Sequence, residues 1–327
     1  MKALALLSGG LDSSLAIRLI QNQGIEVVGL HFFIPFCRHK DVEMEKLAAE
    51  KIADSLGIKL KIEYLGQEFL KMVKNPRYGY GKNLNPCIDC KILMFKKAKK
   101  IMNEINASFI ISGEVLGQRP MSQNKHSLKL IEKESGLKGL LLRPLSAKLL
   151  SSTIAQEKGW VKREELEGIS GRGRNPQIKL AEKLGIKEYP WPSGGCLLTD
   201  PGFCKRLKDL IKHNQFNLEN IELLKVGRHF RLSPTFKLVV GRDKEENEIL
   251  VNLLKKGDIY FEPKEKPGPS GLGRGDCDEE DKLLAARIIA RYTSCGQEVK
   301  ISVKSLGKTQ EYSVKGSDKD IRSKIIR

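Results

Sequence analysis

No apolar run in this chain approaches the ~18 residues that a membrane-crossing helix needs. Residues 1–7, MKALALL, are too short an apolar stretch for an export leader and run straight into a glycine turn. The expectation is a cytoplasmic protein with no membrane partner. Acidic residues are in deficit, with 40 Asp and Glu against 58 Lys and Arg and a formal net charge of +18. A lysine-rich surface of thermophile type also carries many acids. Here they do not keep pace, and the surplus points to a polyanionic partner, nucleic acid before anionic membrane. The seven cysteines are an odd number in a chain without a leader. That argues against a disulfide framework and leaves thiols for catalysis or metal binding. Two phosphate-binding signatures are also missing. No Gly-Lys-Ser/Thr follows the first glycine turn, and the Gly-x-Gly-x-x-Gly spacing is absent.

What remains is long enough for structure on a larger scale. With 327 residues, 40% of them hydrophobic, the chain can bury one large core or two ordinary ones. Residues 3–7 form a continuous apolar run of the kind found in strands buried on both faces. A turn follows, then helical spacing of Leu15, Ile17, Leu19 and Ile20, with Gly24 placed to stop the helix. Residues 25–33 read as a second strand. This is a βαβ unit with its glycine loop at the carboxyl end of the first strand. Alternation continues with a helix over 42–56, a strand over 60–65, a basic helix over 91–105 and a strand over 107–112.

The first loop reads Ser8-Gly9-Gly10-Leu11-Asp12-Ser13-Ser14. Gly9 and Gly10 let backbone N–H groups approach an anion, Ser13 and Ser14 add hydroxyls, and a helix N-terminus adds partial positive charge. Asp12 suits such a site only if Mg²⁺ neutralises the phosphates. This segment, in its strand–turn–helix setting, resembles the PP-loop of the ATP pyrophosphatase family. The resemblance implies an adenine-nucleotide α-hydrolase-like parallel-sheet domain that binds ATP and releases pyrophosphate by adenylating a carbonyl oxygen. In an open α/β sheet the loops at the carboxyl ends of strands share one site. Segments 8–14, 31–37 and 113–123 are thus gathered as candidates, with His31 and Gly113 added to the ATP set. Neither His31 nor His39 has a partner at metal-pair spacing.

Asn85-Pro86-Cys87-Ile88-Asp89-Cys90, just before the basic helix, resembles the Asn-Pro-x-x-x-Cys segment of tRNA thiouridylases, which are PP-loop enzymes. In that family a second, distant cysteine after a glycine turn completes the site, and Cys196 after Ser193-Gly194-Gly195 matches it in order and setting. The resemblance covers about residues 1–204 and implies Asp12, Cys90 and Cys196 as catalytic residues. Three cysteines are one more than a dithiol–disulfide mechanism needs. Zinc prefers four ligands, and no fourth Cys or His stands at a telling position. A 4Fe–4S cluster on Cys87, Cys90 and Cys196 would leave one iron open, as in the cluster-dependent branch of the family. A Cys90/Cys196 persulfide pair and a zinc or redox pair are the alternatives.

Arg172 and Arg174 sit among glycines, where guanidinium groups can reach phosphate. Arg119 joins them as an RNA-contact candidate. After residue 205 the composition shifts to short strands with helices between them. A Pro/Gly loop is expected over 268–275, a helix over 278–292 and a hairpin over 299–314. Val226-Gly227-Arg228 and Val240-Gly241-Arg242-Asp243, with the run from Pro267, look like the RNA-associated domain of NFACT-type ribosome quality-control proteins over about residues 222–316. Arg228, Arg231, Arg242 and Lys244 are its phosphate-contact candidates. The expected organisation is an α/β PP-loop thiolation domain at 1–205, followed by a smaller α+β RNA-binding domain at 206–327. The resemblances imply an ATP-dependent tRNA sulfurtransferase that makes thiouridine, 4-thiouridine before 2-thiouridine. Its sulfur would come from hydrosulfide or a cysteine desulfurase-type carrier. A small-molecule PP-loop ligase and a non-catalytic RNA-binding protein with a relic nucleotide site are the rival readings.

Overall fold

Lys2–Leu6 (β1) is the centre of a parallel sheet because everything in it after Lys2 is apolar: Ala3, Leu4 and Ala5 are at most 1% exposed. A computed structural model of the chain describes residues 1–37, 42–186, 196–294, 296–305, 307–316 and 318–326. His39 and the glycine turn before Cys196 lie outside the described residues, as does Cys295. The chain divides into two compact units, Met1–Thr199 and Asp200–Arg327.

The first unit continues with α1 (Leu11–Gln21), β2 (Glu26–Phe33), α2 (Val42–Leu56), β3 (Lys59–Tyr64), α3 (Gln67–Lys74) and α4 (Cys87–Glu104). Then come β4 (Phe109–Ser112), α5 (Lys125–Ser135), β5 (Leu141–Leu142), α6 (Ile154–Glu157) and α7 (Asn175–Lys183). The five strands are all parallel, in the order β3-β2-β1-β4-β5. The chain reverses its direction of winding between β1 and β4. That is the switch point outside which open α/β sheets bind ligands. Helix α1 packs its Leu15, Ile17 and Ile20 face onto β1 and β4, and α4 buries Phe95 and Ala98 at helical spacing. Helix α4 starts at Cys87, four residues earlier than its sequence suggests. Pro86 occupies its N-cap, where a missing N–H removes no helical bond, so the helix opens directly after it.

The second unit comprises α8 (Pro201–Lys212), α9 (Leu218–Leu223), β6 (Arg228–Arg231), β7 (Lys237–Val240), α10 (Lys244–Asn252), β8 (Ile259–Pro263) and β9 (Gly271–Arg274). It ends with α11 (Glu279–Thr293), β10 (Glu298–Ser305), β11 (Lys308–Lys315) and α12 (Asp318–Lys324). Six antiparallel strands run in the order β11-β10-β8-β9-β7-β6. One face packs on α11 through Leu238, Val240, Ala285 and Ile289, and the other on α9 and α10 through Val239, Leu250 and Leu272. The hairpin expected near the end is β10–β11, with Glu298 opposite Lys315. The Pro/Gly loop expected over 268–275 is corrected by the structure: its second half is β9, hydrogen-bonded between β7 and β8. A Cβ at Gly271 would lie 2.6 Å from Ile289, and one at Gly273 2.4 Å from Phe236. These glycines let large side chains press on the strand; they do not make a turn. Among the described residues no helix is long and apolar enough to cross a membrane.

Candidate nucleotide and thiol site

The chain leaves β1 at Leu6 and enters α1 at Leu11 through Ser8, Gly9 and Gly10, with Gly9 at φ +74°. Gly10 is the N-cap, and no side chain caps the helix. First-turn N–H groups therefore face the switch point without a side-chain acceptor. The hydroxyls are occupied locally. Ser13 Oγ donates to the Gly10 carbonyl at 2.8 Å, Ser14 Oγ lies 3.4 Å from it, and Ser8 Oγ is 3.3 Å from Ser13 Oγ. Asp12 stands in the first helical turn. Its Oδ2 accepts from Gln118 Nε2 at 2.9 Å, and its Oδ1 is buried without a hydrogen-bond partner. An orphaned carboxylate oxygen at an uncapped helix N-terminus fits a hard divalent cation such as Mg²⁺.

Gly113 explains how two loops can meet here. A Cβ on it would lie 2.6 Å from Asp12 C and Ser13 N, so only glycine lets the end of β4 touch the start of α1. The rest of that loop is held by its own bonds: Gly117 N donates to Gln123 O at 2.7 Å, and Arg119 N to Gln123 Oε1 at 3.1 Å. Leu116 bridges to Ser170, and Gly171 N donates to Leu116 O at 2.7 Å. That pairing brings the turn carrying exposed Arg172 and half-buried Arg174 beside the loop that follows β4. His31 is not in a loop. It lies within β2, 6% exposed, with Nδ1 donating to the Leu7 carbonyl at 2.9 Å, and so braces the end of β1.

Cys87 and Cys90 stand in the first turn of α4. Asp89 between them accepts from Arg77 N at 2.9 Å and Tyr78 N at 3.0 Å, which fastens the preceding loop to the helix. Cys87 Sγ donates to Asn85 Oδ1 at 3.1 Å, and Cys90 Sγ lies 3.8 Å from Met94 Sδ. The segment with Cys196 is tied to the same place. Leu197 N bonds Phe36 O at 3.1 Å, Leu84 N bonds Leu198 O at 3.2 Å, and Asn83 Nδ2 bonds Thr199 O at 2.8 Å. Cys196 Sγ is 3.8 Å from the Phe36 carbonyl. Burial pushes the Cys90 thiol up to about 12, and the charges of Cys196 and Cys87 add to that, against the pull of Lys91 and Arg119. Burial also raises Cys87, against Arg119, Lys91 and the Asn85 hydrogen bond. The three thiols thus surround one region with two cations nearby. In kind they are the donors an iron–sulfur cluster needs. In placement each turns to a different neighbour, and among the described residues no group of three His, Cys, Asp or Glu side chains is gathered to hold a metal ion.

The loop after β1 and the start of α4 are joined by a network that sequence reasoning missed. Glu114, next to Gly113 and 2% exposed, receives Arg143 Nε at 3.0 Å and lies 3.5 Å from Lys91 Nζ, the residue after Cys90. Arg143 also pairs with Glu132 on α5. Burial would raise the Glu114 carboxyl, but Lys91 and Arg143 outweigh it and hold the group below the usual carboxylate range. The partners lie 23 to 29 residues from Glu114, and only their charges could have hinted at a pairing.

In the second unit, Arg228 donates to Gly241 O at 3.2 Å and lies over the Tyr292 ring. Arg231 is bound to Asp209 and Gln215, and Arg242 to Glu246. Lys244 is exposed at the start of α10.

Two family models match the chain. Residues 1–154 match the family described as thiamine biosynthesis protein (ThiI). Residues 227–323 match the NFACT protein RNA binding domain. The resemblances read from the glycine loop, the cysteines and the Val-Gly-Arg segments therefore hold, as does the expected fold: a parallel α/β sheet followed by a separate antiparallel one. Among curated relatives, a probable tRNA sulfurtransferase of Thermococcus kodakarensis is 31% identical over 156 residues, 44% of this chain and 36% of that protein. A tRNA-specific 2-thiouridylase MnmA of Sulfurimonas denitrificans is 34% identical over 122 residues, 35% of each chain. Another, of Marinobacter nauticus, is 26% identical over 247 residues, 68% of this chain and 57% of that one. The chain spans little more than a third of the length of the first two relatives.

Proposed function

We propose that this chain is an ATP-dependent tRNA sulfurtransferase that converts a uridine to thiouridine. The observation that carries the reading is the junction of Gly113 and Glu114. One residue seats against the first turn of α1, and the other binds the cation that follows Cys90. An uncapped helix N-terminus, an acid suited to Mg²⁺ and a set of thiols are thereby held together, as activation followed by sulfur transfer requires.

ATP would lie with its phosphates on the first-turn N–H groups of α1, and Asp12 would hold Mg²⁺ through its unpartnered oxygen. The uridine carbonyl oxygen attacks the α-phosphorus, pyrophosphate leaves, and the base becomes an O-adenylate. A sulfur nucleophile then adds to the activated carbon, and AMP departs with the former carbonyl oxygen. The base must come out of its stack to be reached. Sulfur would come from hydrosulfide or a cysteine desulfurase-type carrier. In the favoured form, Cys87, Cys90 and Cys196 would hold a 4Fe–4S cluster in place of their contacts to Asn85, Met94 and Phe36. When bound, that group would supply an open iron for sulfide. The alternative uses Cys90 and Cys196 alone and is fed by a carrier persulfide, not by hydrosulfide: one cysteine takes the carrier's outer sulfur while the carrier leaves as its thiol, and the other closes a disulfide with it as that sulfur passes to the base, with Arg119 and Lys91 favouring the Cys90 thiolate. Position 4 of the ring is favoured over position 2, because the second unit resembles a different RNA-binding module from that of the wobble-modifying enzymes. That unit would position the tRNA by backbone contacts, with Arg242 and Lys244 its exposed candidates and Arg119, Arg172 and Arg174 on the loop after β4 and the turn beside it.

Pyrophosphate release from ATP tests the reading. It should depend on added tRNA. Release that is driven by a small nucleophile and indifferent to tRNA would favour a small-molecule ligase, and no release under any condition would favour an RNA-binding protein with a relic site.

A further inference from the structure

Strands β6, β7 and β9 adjoin one another, and their register sets three cations in a row. Arg231 faces Lys237 across the first pair, and Lys237 faces Arg274 across the second. Facing residues share one side of a sheet, where like charges repel. The outer two each have a carboxylate partner, although Nη1 of Arg231 is also buried without a hydrogen-bond partner. Arg231 bonds Asp209 at 2.6 and 3.3 Å, and Arg274 bonds Asp258 at 2.5 and 2.9 Å. Lys237, between them, is 5% exposed, and its Nζ has no hydrogen-bond partner. Three positive side chains against two negative ones leave a surplus of one buried charge. A buried ammonium without a partner is costly, and a Leu or Met would fill the same space without that cost.

Lys237 also lines a cavity. Gln215, Asn220 and Arg274 are polar groups on its wall, and Leu210 and Val239 are apolar ones. The space open to the centre of a water-sized sphere is about 10 Å³, room for one body of that size. A phosphate group, free or in an RNA backbone, is too large. We propose that this cavity is a binding site for a monatomic anion of the halide class, held by the Lys237 ammonium with the Arg274 guanidinium beside it. The anion cancels the surplus charge and gives Lys237 its missing partner.

The groups around Lys237 set the pH dependence. Arg206 and Asp209 face it from α8, His229 and Arg231 from β6 and Arg274 from β9, while α9 contributes only Asn220 and Leu223 at the cavity. Burial lowers Lys237 to about 7, with Asp209 opposing and Arg231 and Arg206 reinforcing the fall. Binding a halide requires the ammonium, so it takes up a proton and weakens as pH rises above that value.

The test uses the full chain at neutral pH. Its melting midpoint is measured in sodium chloride, in sodium bromide and in sodium gluconate at equal ionic strength, beside a Lys237→Met variant. The wild type should melt several degrees higher in the halides than in gluconate. The variant should show no difference between salts and should melt above the wild type in gluconate, because the unpaired charge is gone. A bromide-soaked crystal of the wild type should show one anomalous site at Lys237 Nζ, and this holds even if the variant fails to fold. Equal midpoints in the three salts, or a soaked crystal with water and no bromide at Lys237, overturns the proposal.

Discussion

Replacing Glu114 by alanine removes a carboxylate that two cations share. Glu114 and Arg143 are each 2% exposed, so solvent cannot substitute for the lost charge, whereas Lys91, with 22% of its side chain exposed, can turn to water. Breaking a buried pair from one side costs about 3–5 kcal/mol. Arg143 keeps its bond to Glu132, so the low end, about 3 kcal/mol, applies. For a unit the size of Met1–Thr199, each kcal/mol moves Tm by about 2–4 °C, giving a drop of about 6–12 °C. Calorimetry of the full chain reads this as a shift of one transition. A Glu114→Ala/Arg143→Met double variant should recover part of the loss, because no buried charge is then stranded. The pH dependence follows from the direction of the shift. The folded carboxyl lies below its ordinary value, so its contribution is complete above the unfolded pKa of about 4.3 and is lost as pH falls through the folded one. The variant should therefore destabilise less steeply than the wild type on acidification. A Tm drop under about 2 °C, or strict additivity in the double variant, would refute the coupling.

Asp12→Asn should abolish tRNA-dependent pyrophosphate release while leaving Tm within about 2 °C of wild type, since only one oxygen has a partner to lose; retained release would remove Asp12 from the nucleotide site. Gly113→Ala should cost about 1–3 kcal/mol by driving a methyl group into the Asp12 backbone, read as a lower melting midpoint and weaker ATP binding; an unchanged midpoint would contradict the close approach. Asp89→Ala strands the N–H groups of Arg77 and Tyr78 and should cost about 2 kcal/mol, with faster proteolysis of the loop before Cys87; equal protease resistance would contradict its anchoring role. Binding to tRNA should weaken steeply with salt through counterion release, and a chain ending at Thr199 should show a shallower slope and lower affinity; equal slopes would take the second unit out of RNA recognition.

How much of this was legible in advance depended on how local the signal was. The loop from Ser8 to Ser14 could be read because its chemistry is contained in seven consecutive residues, and the apolar run before it could belong only to a buried strand. The start of α4 was misplaced because Pro86 breaks a helix interior but is tolerated at an N-terminus, and sequence does not say which applies. Gly271 and Gly273 read as a loop because the side chains that press on them, Ile289 and Phe236, come from elsewhere in the chain. The Glu114–Arg143–Lys91 network and the row Arg231–Lys237–Arg274 exist only once strands are paired, and a charge in a sequence carries no mark of its partner. His31 was gathered with the loop segment 31–37 although the strand read over 25–33 already contained it, and the structure keeps it in that strand.

Nucleoside mass spectrometry of a reconstituted reaction addresses the central claim most directly. Anaerobically purified protein, unmodified tRNA, ATP and Mg²⁺ are incubated with sulfide in one series and with a persulfide-bearing cysteine desulfurase-type carrier and a thiol reductant in another, with iron content measured on the same sample and on Cys87→Ala, Cys90→Ala and Cys196→Ala variants. The account expects thiouridine in the tRNA digest, dependent on ATP and lost with Cys90→Ala and Cys196→Ala. In the cluster form it is also lost, together with iron, in Cys87→Ala; in the persulfide form it survives there. A tRNA digest without thiouridine, from protein that binds both ATP and tRNA, would contradict the account.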